Sequence, residues 1–194
     1  MILCHKVRTF ACLLKQDGKD TYQRQDIPPV YFGRRDCPCR GPRCIREDVM
    51  QEEGNPLFVV MLNGAFMFAS DLLRAIDVPC EVAFMRMKSY QGTASTGTVD
   101  LLQDMHAEIS GRTVIVIEDI VDTGATIHAL LEHLQRRRPK CVKIASLLFK
   151  PESLQYDVPV DYVAFEIPRD FIVGYGLDYD EEGRNLKDIY VIDN

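Results

Sequence analysis

The stretch Val114 to Ile127, VIVIEDIVDTGATI, concentrates residue types that do chemistry. An apolar run, Val114 to Ile117, leads into Glu118 and Asp119, and after Ile120-Val121 come Asp122, Thr123, Gly124, Ala125 and Thr126. Three carboxylates so close together repel one another, and such a group calls for a divalent cation or a polyol to bind. The residues that follow open a helix. A helix start offers unpaired backbone N–H groups and the positive end of a dipole, so a phosphate fits there. Thr123 and Thr126 can add hydroxyl donors, and Gly124 lets the backbone come close. Capping is the other use for Asp122 or Thr123, but it accounts for one acid or two, not three.

These groups need a frame, and the flanking sequence supplies one. Leu57 to Leu62 is a continuous apolar run, as expected for a strand buried on both faces. Asn63-Gly64 breaks it, and Ala65 to Ile76 places Phe66, Ala69, Leu72, Leu73 and Ile76 on one helical stripe. Val82–Met85, Thr113–Ile117, Val142–Phe149, Asp161–Phe165 and Ile189–Ile192 read as further strands. Ala125 to Arg138 reads as a helix, with Arg136 to Arg138 complementing its end and Pro139 stopping it. This order predicts an α/β fold, a mostly parallel sheet flanked by helices, with a small hood built largely from the C-terminal segment. In such a sheet the acidic turn lies at the carboxyl end of a strand, where ligands bind. Arg86 to Gly111 is a small, polar stretch among the ligand-facing loops and is expected to act as a lid.

The chain has 194 residues, 46% hydrophobic and 27% charged, enough for one domain with an appendage and its own core. Its net charge of −6 argues against nucleic acid held by phosphate neutralisation. No apolar stretch approaches a membrane span, and the N-terminus lacks the pattern of a signal peptide, so a cytoplasmic protein is expected. Charge divides the chain: residues 1–54 carry 10 basic and 8 acidic residues, leaving 13 and 21 for residues 55–194. Between Lys15 and Glu53 there is no sustained periodicity. Residues 1–54 are therefore set apart as a segment that is divergent, poorly ordered or outside the native reading frame, and 55–194 as the functional domain. Five of the seven cysteines fall in the first 44 residues, but Cys37, Cys39 and Cys44 lack the paired spacing of a zinc site. His106, His128 and His133 show no convergent metal spacing either.

Val114 to Ile127 resembles the signature of the type I phosphoribosyltransferases, two acids followed by a glycine-containing phosphate loop. With LNGAFMFASDL from Leu62, MKSY from Met87, SLLFKPES from Ser146 and FEIPRDFIVGYGLDYDEEGRNL from Phe165, the chain is similar to the hypoxanthine-guanine members of that family. The resemblance implies transfer of a 5-phosphoribosyl group from 5-phosphoribosyl 1-pyrophosphate (PRPP) to hypoxanthine or guanine, with Mg²⁺. It implies that Glu118 and Asp119 approach the ribose hydroxyls, partly through the metal, and that Asp122 exchanges the purine N7 proton. Thr123, Gly124, Ala125 and Thr126 would hold the 5′-phosphate. Leu62, Asn63 and Gly64 match the pyrophosphate loop, which in many relatives has an unusual peptide and a lysine where Asn63 stands here. Lys88, Ser89 and Tyr90 match the start of the mobile lid. Lys150 matches the reader of the purine 6-oxo group, Phe171 the ring stacked on the base, and Ile172 a backbone contact to it. Asp178 matches a further Mg²⁺ ligand and Arg184 a pyrophosphate contact. Taken alone, Lys150 reads as a solvated lysine and Phe171 as a core aromatic. A homo-oligomer is expected, with PRPP and a purine base as partners and neither nucleic acid nor membrane. The alternative function is a regulator of this fold that binds PRPP or nucleotide without turnover.

Overall fold

Alternating residues of Leu57–Leu62 (β2) and Thr113–Val121 (β5) pack in opposite directions, and this makes a three-layer arrangement. Phe58, Val60, Ile115 and Ile117 face Phe68, Leu72 and Ile76 of one helix, Phe66–Ile76 (α1). Leu57, Val59, Val114 and Val116 face Ile127, Leu130 and Leu134 of the other, Ala125–Gln135 (α2). Both faces of the sheet are thus shielded from water, which is why these strands are apolar without alternation. The computed structural model describes residues 22–24, 45–48, 56–76, 78–89 and 99–192.

The main sheet has six strands in the order β4-β3-β2-β5-β6-β7. Here β3 is Glu81–Ser89, β4 Val99–Gln103, β6 Cys141–Phe149 and β7 Tyr162–Glu166. All neighbours are parallel except the edge strand β4, which runs antiparallel to β3. A second, three-stranded sheet forms the hood from Tyr22–Arg24 (β1), Tyr190–Ile192 (β9) and Ile172–Val173 (β8), in the order β1-β9-β8. The expected α/β class is the one observed.

Element ends differ from the sequence reading in instructive ways. β5 does not stop at Ile117 but continues through the acids to Val121, because β6 keeps pairing with it as far as Val121↔Phe149. Part of Arg86 to Gly111 is not loop: its first residues extend β3, and Val99–Gln103 pairs back on it, Ser89 opposite Val99. An exposed strand that owes its pairing to one neighbour leaves little periodicity to read. α2 ends at Gln135, not Arg138, which takes a left-handed φ of 55°. Two pieces of the segment set apart at the N-terminus are built into the fold. β1 joins the hood sheet, and Ile45, in a short helical stretch at 45–48, is buried against Phe58 and Tyr162 in the core. Asp48 accepts hydrogen bonds from Lys143 Nζ at 2.8 Å and from the Tyr162 hydroxyl. Three- and four-residue elements are too short for periodicity to show. Cys37, Cys39 and Cys44 lie outside the described residues.

Candidate active site

β2 and β5 lie side by side, but the chain leaves β2 toward β3 on one flank and β5 toward β6 on the other. The loops at their carboxyl ends therefore diverge toward helices on opposite faces and open a crevice there. Two of the motifs singled out above occupy its lips: Leu62-Asn63-Gly64 ends β2, and Glu118-Asp119 sits near the end of β5.

The two loops touch. A Cβ on Gly64 would fall inside the Asp119 carboxylate, so only glycine permits this approach. The Leu62–Asn63 peptide is cis, the unusual peptide that the family resemblance implied. Glu118 is buried, and its Oε2 has no hydrogen-bond partner among the described residues. Burial, and then the charge of Asp119, push its carboxyl well above the usual range. Burial also raises Asp119, opposed by the Ile120 N–H that its Oδ1 accepts and by the Arg184 guanidinium. An orphaned buried carboxylate oxygen beside a second acid suits a cation or sugar hydroxyls, so the donor set fits Mg²⁺. No three His, Cys, Asp or Glu side chains among the described residues form a metal cluster by themselves.

Asp122 does not cap the helix. Its Oδ2 lies 3.0 Å from Lys150 Nζ, and Lys150 is buried at 5% exposure. The solvated lysine expected from position alone is thus corrected. The Lys150 N–H bonds Val121 O at 2.9 Å, seating the residue against the end of β5, where Asp122 compensates its charge. Just ahead of the helix, Thr123 Oγ1 accepts the Ala125 N–H at 3.3 Å. Gly124 has φ 84°, and a Cβ there would press on Val158, Tyr156 and Leu154. The left-handed φ and this close packing both favour glycine at the helix start. Thr123 and Thr126 are partly exposed at the helix start. A cleft of about 300 Å³ runs beside Asp122 and Thr123, walled by Glu152, Leu154, Gln155 and Arg169.

The C-terminal return completes the crevice. Ile172 is buried in β8, whereas Phe171 is 50% exposed, its ring edge-on to Tyr179 with centroids 5.6 Å apart. The core aromatic expected from residue type alone is thereby corrected: an exposed ring is available to stack on a planar ligand. Arg184 pairs with Asp178 at 2.6 Å and donates to Gly176 O at 3.0 Å, and both residues act on the charge of Asp119. Asp178 Oδ2 also accepts the Glu181 N–H at 3.0 Å. Sequence reasoning missed Gly176: a Cβ there would strike Gly64 O, so the return seats directly on the β2 loop. The signal was present in the Gly174-Tyr175-Gly176 spacing. Lys88 and Ser89 end β3 on its carboxyl side; Tyr90 lies outside the described residues.

An α/β sheet with a phosphate loop, paired acids and a hood is the architecture of a phosphoribosyltransferase. A family model described as the phosphoribosyl transferase domain matches residues 43–180, and the chain belongs to that family. Its similar proteins are hypoxanthine-guanine phosphoribosyltransferases. That of Streptococcus thermophilus is 41% identical over 170 residues, 87% of this chain and 94% of the relative. That of Mycobacterium tuberculosis is 44% identical over 138 residues, 71% and 68% of the two chains. Among solved structures, a hypoxanthine phosphoribosyltransferase from Staphylococcus aureus has a TM-score of 0.73 at 38% identity, covering 78% of this chain and 82% of its own. The Trypanosoma cruzi enzyme, solved with its product IMP, has a TM-score of 0.70 at 37% identity, covering 77% and 84%. Among the described residues no helix is long and apolar enough to cross a membrane.

Proposed function

We infer that the chain is a purine-salvage enzyme that transfers the 5-phosphoribosyl group of PRPP to N9 of hypoxanthine or guanine, giving IMP or GMP and pyrophosphate. The observation that carries this reading is buried Lys150 paired with the half-exposed Asp122 beside the helix start of the phosphate loop. In this reading Lys150 donates to the 6-oxo group and Asp122 accepts the N7 proton, beside the helix start that seats the phosphate. A regulator that only binds nucleotide needs no such acceptor.

Roles for the remaining residues follow from the charge that the reaction develops. Breaking the bond at C1 leaves positive charge on the ribose and negative charge on pyrophosphate, so acids belong near the sugar and donors near the leaving group. Glu118 and Asp119 face the ribose hydroxyls, and Thr123 to Thr126 hold the 5′-phosphate. Leu62, Asn63 and Gly64 offer backbone groups to pyrophosphate. Mg²⁺, when bound, neutralises charge on the leaving group; Asp178, Glu118 and Asp119 would hold it. Arg184 reaches pyrophosphate by giving up its pairing with Asp178, which frees a carboxylate oxygen. Phe171 stacks on the base, Ile172 meets it through its backbone, and Lys88, Ser89 and Tyr90 begin the lid that keeps water from PRPP.

A spectrophotometric assay with PRPP, Mg²⁺ and each purine base in turn tests the function. Turnover of hypoxanthine or guanine is expected, and binding of PRPP with no turnover of either base would favour the regulator. Cys80 and Cys141 form no disulfide with a described residue, and a cytoplasmic setting belongs to this reading. Exposed Phe84, Leu101 and Leu102 on the β3–β4 flank support association of copies, which sedimentation velocity measures.

A further inference from the structure

The turn Gly174-Tyr175-Gly176 has three successive positive φ angles, 105°, 52° and 105°. Two belong to glycines, but Tyr175 carries a side chain in a region that L-residues rarely adopt. Such a conformation persists when its surroundings over-determine it. Here the backbone bonds are Gly174 N–H to Leu177 O, Tyr175 N–H to Leu186 O and Gly176 N–H to Arg184 O. The long-range side-chain bond is the Tyr175 hydroxyl, which donates to Asp71 Oδ2 on α1, the helix that starts directly after the β2 loop. Arg74, one turn further along α1, pairs with the other oxygen of that carboxylate. Burial, and then the bond to Asp71, raise the Tyr175 hydroxyl far above an ordinary phenol and keep it a donor.

We propose that Tyr175 and Asp71 are positioning residues for the pyrophosphate and metal end of the site, clamping the 174–178 turn to α1. The clamp seats Gly176 on Gly64 and stands Asp178 and Arg184 beside Asp119. The backbone of the base-binding residues is held by separate bonds in the hood sheet. Ile172 pairs with Val191 in the hood sheet, and Phe171 O accepts the Ile192 N–H at 2.9 Å. The clamp should therefore affect one substrate and spare the other. It rests on the function proposed above, since it assigns a role toward PRPP.

The test is calorimetric titration of the full chain with Mg²⁺-PRPP, alongside steady-state kinetics and thermal melting. Tyr175→Phe keeps the ring and removes only the hydroxyl. It is expected to weaken PRPP binding about tenfold, roughly 1.4 kcal/mol, while the KM for hypoxanthine stays within twofold. Asp71→Ala should match it, the double variant should be no worse than either single, and Asp71→Asn, which keeps an acceptor oxygen, should recover most of the affinity. Unchanged PRPP affinity in Tyr175→Phe, equal weakening of both substrates, or loss of its cooperative melting would overturn the clamp. Wild-type protein that takes up no PRPP would sink the functional reading itself, a result distinct from one confined to the variants.

Discussion

The two sides of the crevice are held by different means. Glu118 and Asp119 lie in the last part of β5, which stays paired with β6 as far as Val121, so the sheet ladder dictates where they point. The return from Phe171 to Arg184 has only the two residues of β8 in regular structure. Its path is set by left-handed residues at 174–176, 180, 181 and 183, and by bonds from Arg184 and Tyr175. The first side is rigid because removing any one contact leaves the ladder intact. The second is assembled from single contacts, each of which can be released. The difference suits the chemistry: the sugar and its phosphate need a fixed seat, whereas base and pyrophosphate must enter and leave.

The contrast can be broken most severely at Asp122. Asp122→Asn is expected to lower kcat roughly 10²–10⁴-fold, the range for losing general acid–base help, with PRPP affinity little changed; equal loss of both in steady-state kinetics would assign Asp122 to binding. Gly64→Ala tests the rigid side directly. Its Cβ must displace the Asp119 carboxylate, and overpacking of this kind costs about 1–3 kcal/mol, which should appear both as a lower melting temperature and as weaker PRPP binding. Lys150→Ala should raise the KM for hypoxanthine and guanine roughly tenfold, as expected when a charged hydrogen bond worth about 1.5–3 kcal/mol is lost. An unchanged preference over adenine would refute its assignment. The smallest effect belongs to the adaptable side. Phe171→Ala removes an exposed ring that contacts Tyr179, so melting should hardly move, while loss of stacking worth about 0.5–1.5 kcal/mol raises the KM of the base several-fold.

Much of the site is legible in the sequence. The acids, the phosphate loop and the strand ahead of them announce themselves through residue type, because chemistry of this kind requires charged and small residues in close succession. What escapes is whatever depends on a distant neighbour. Lys150 looks solvated until β5 is laid beside β6 and Val121 accepts its N–H. Phe171 looks buried until the hood leaves its ring in the open. β4 and β1 carry too few residues to show a period, and each exists because another strand accepts its hydrogen bonds.

By itself the amino-acid order determined the α/β alternation, the two-faced burial of the central strands and the placing of three acids before a glycine-bearing helix start. These are local properties, governed by periodicity and by the few residue types that each geometry tolerates. Only the tertiary structure decided that Gly64 makes room for Asp119, that Gly176 comes down on Gly64, and that Asp122 meets Lys150. Those contacts join residues 28 to 112 positions apart: β5 lies between β2 and β6, so Asp119 meets the loop after β2 and Asp122 meets Lys150 at the end of β6, while the C-terminal return comes down on the first of these loops.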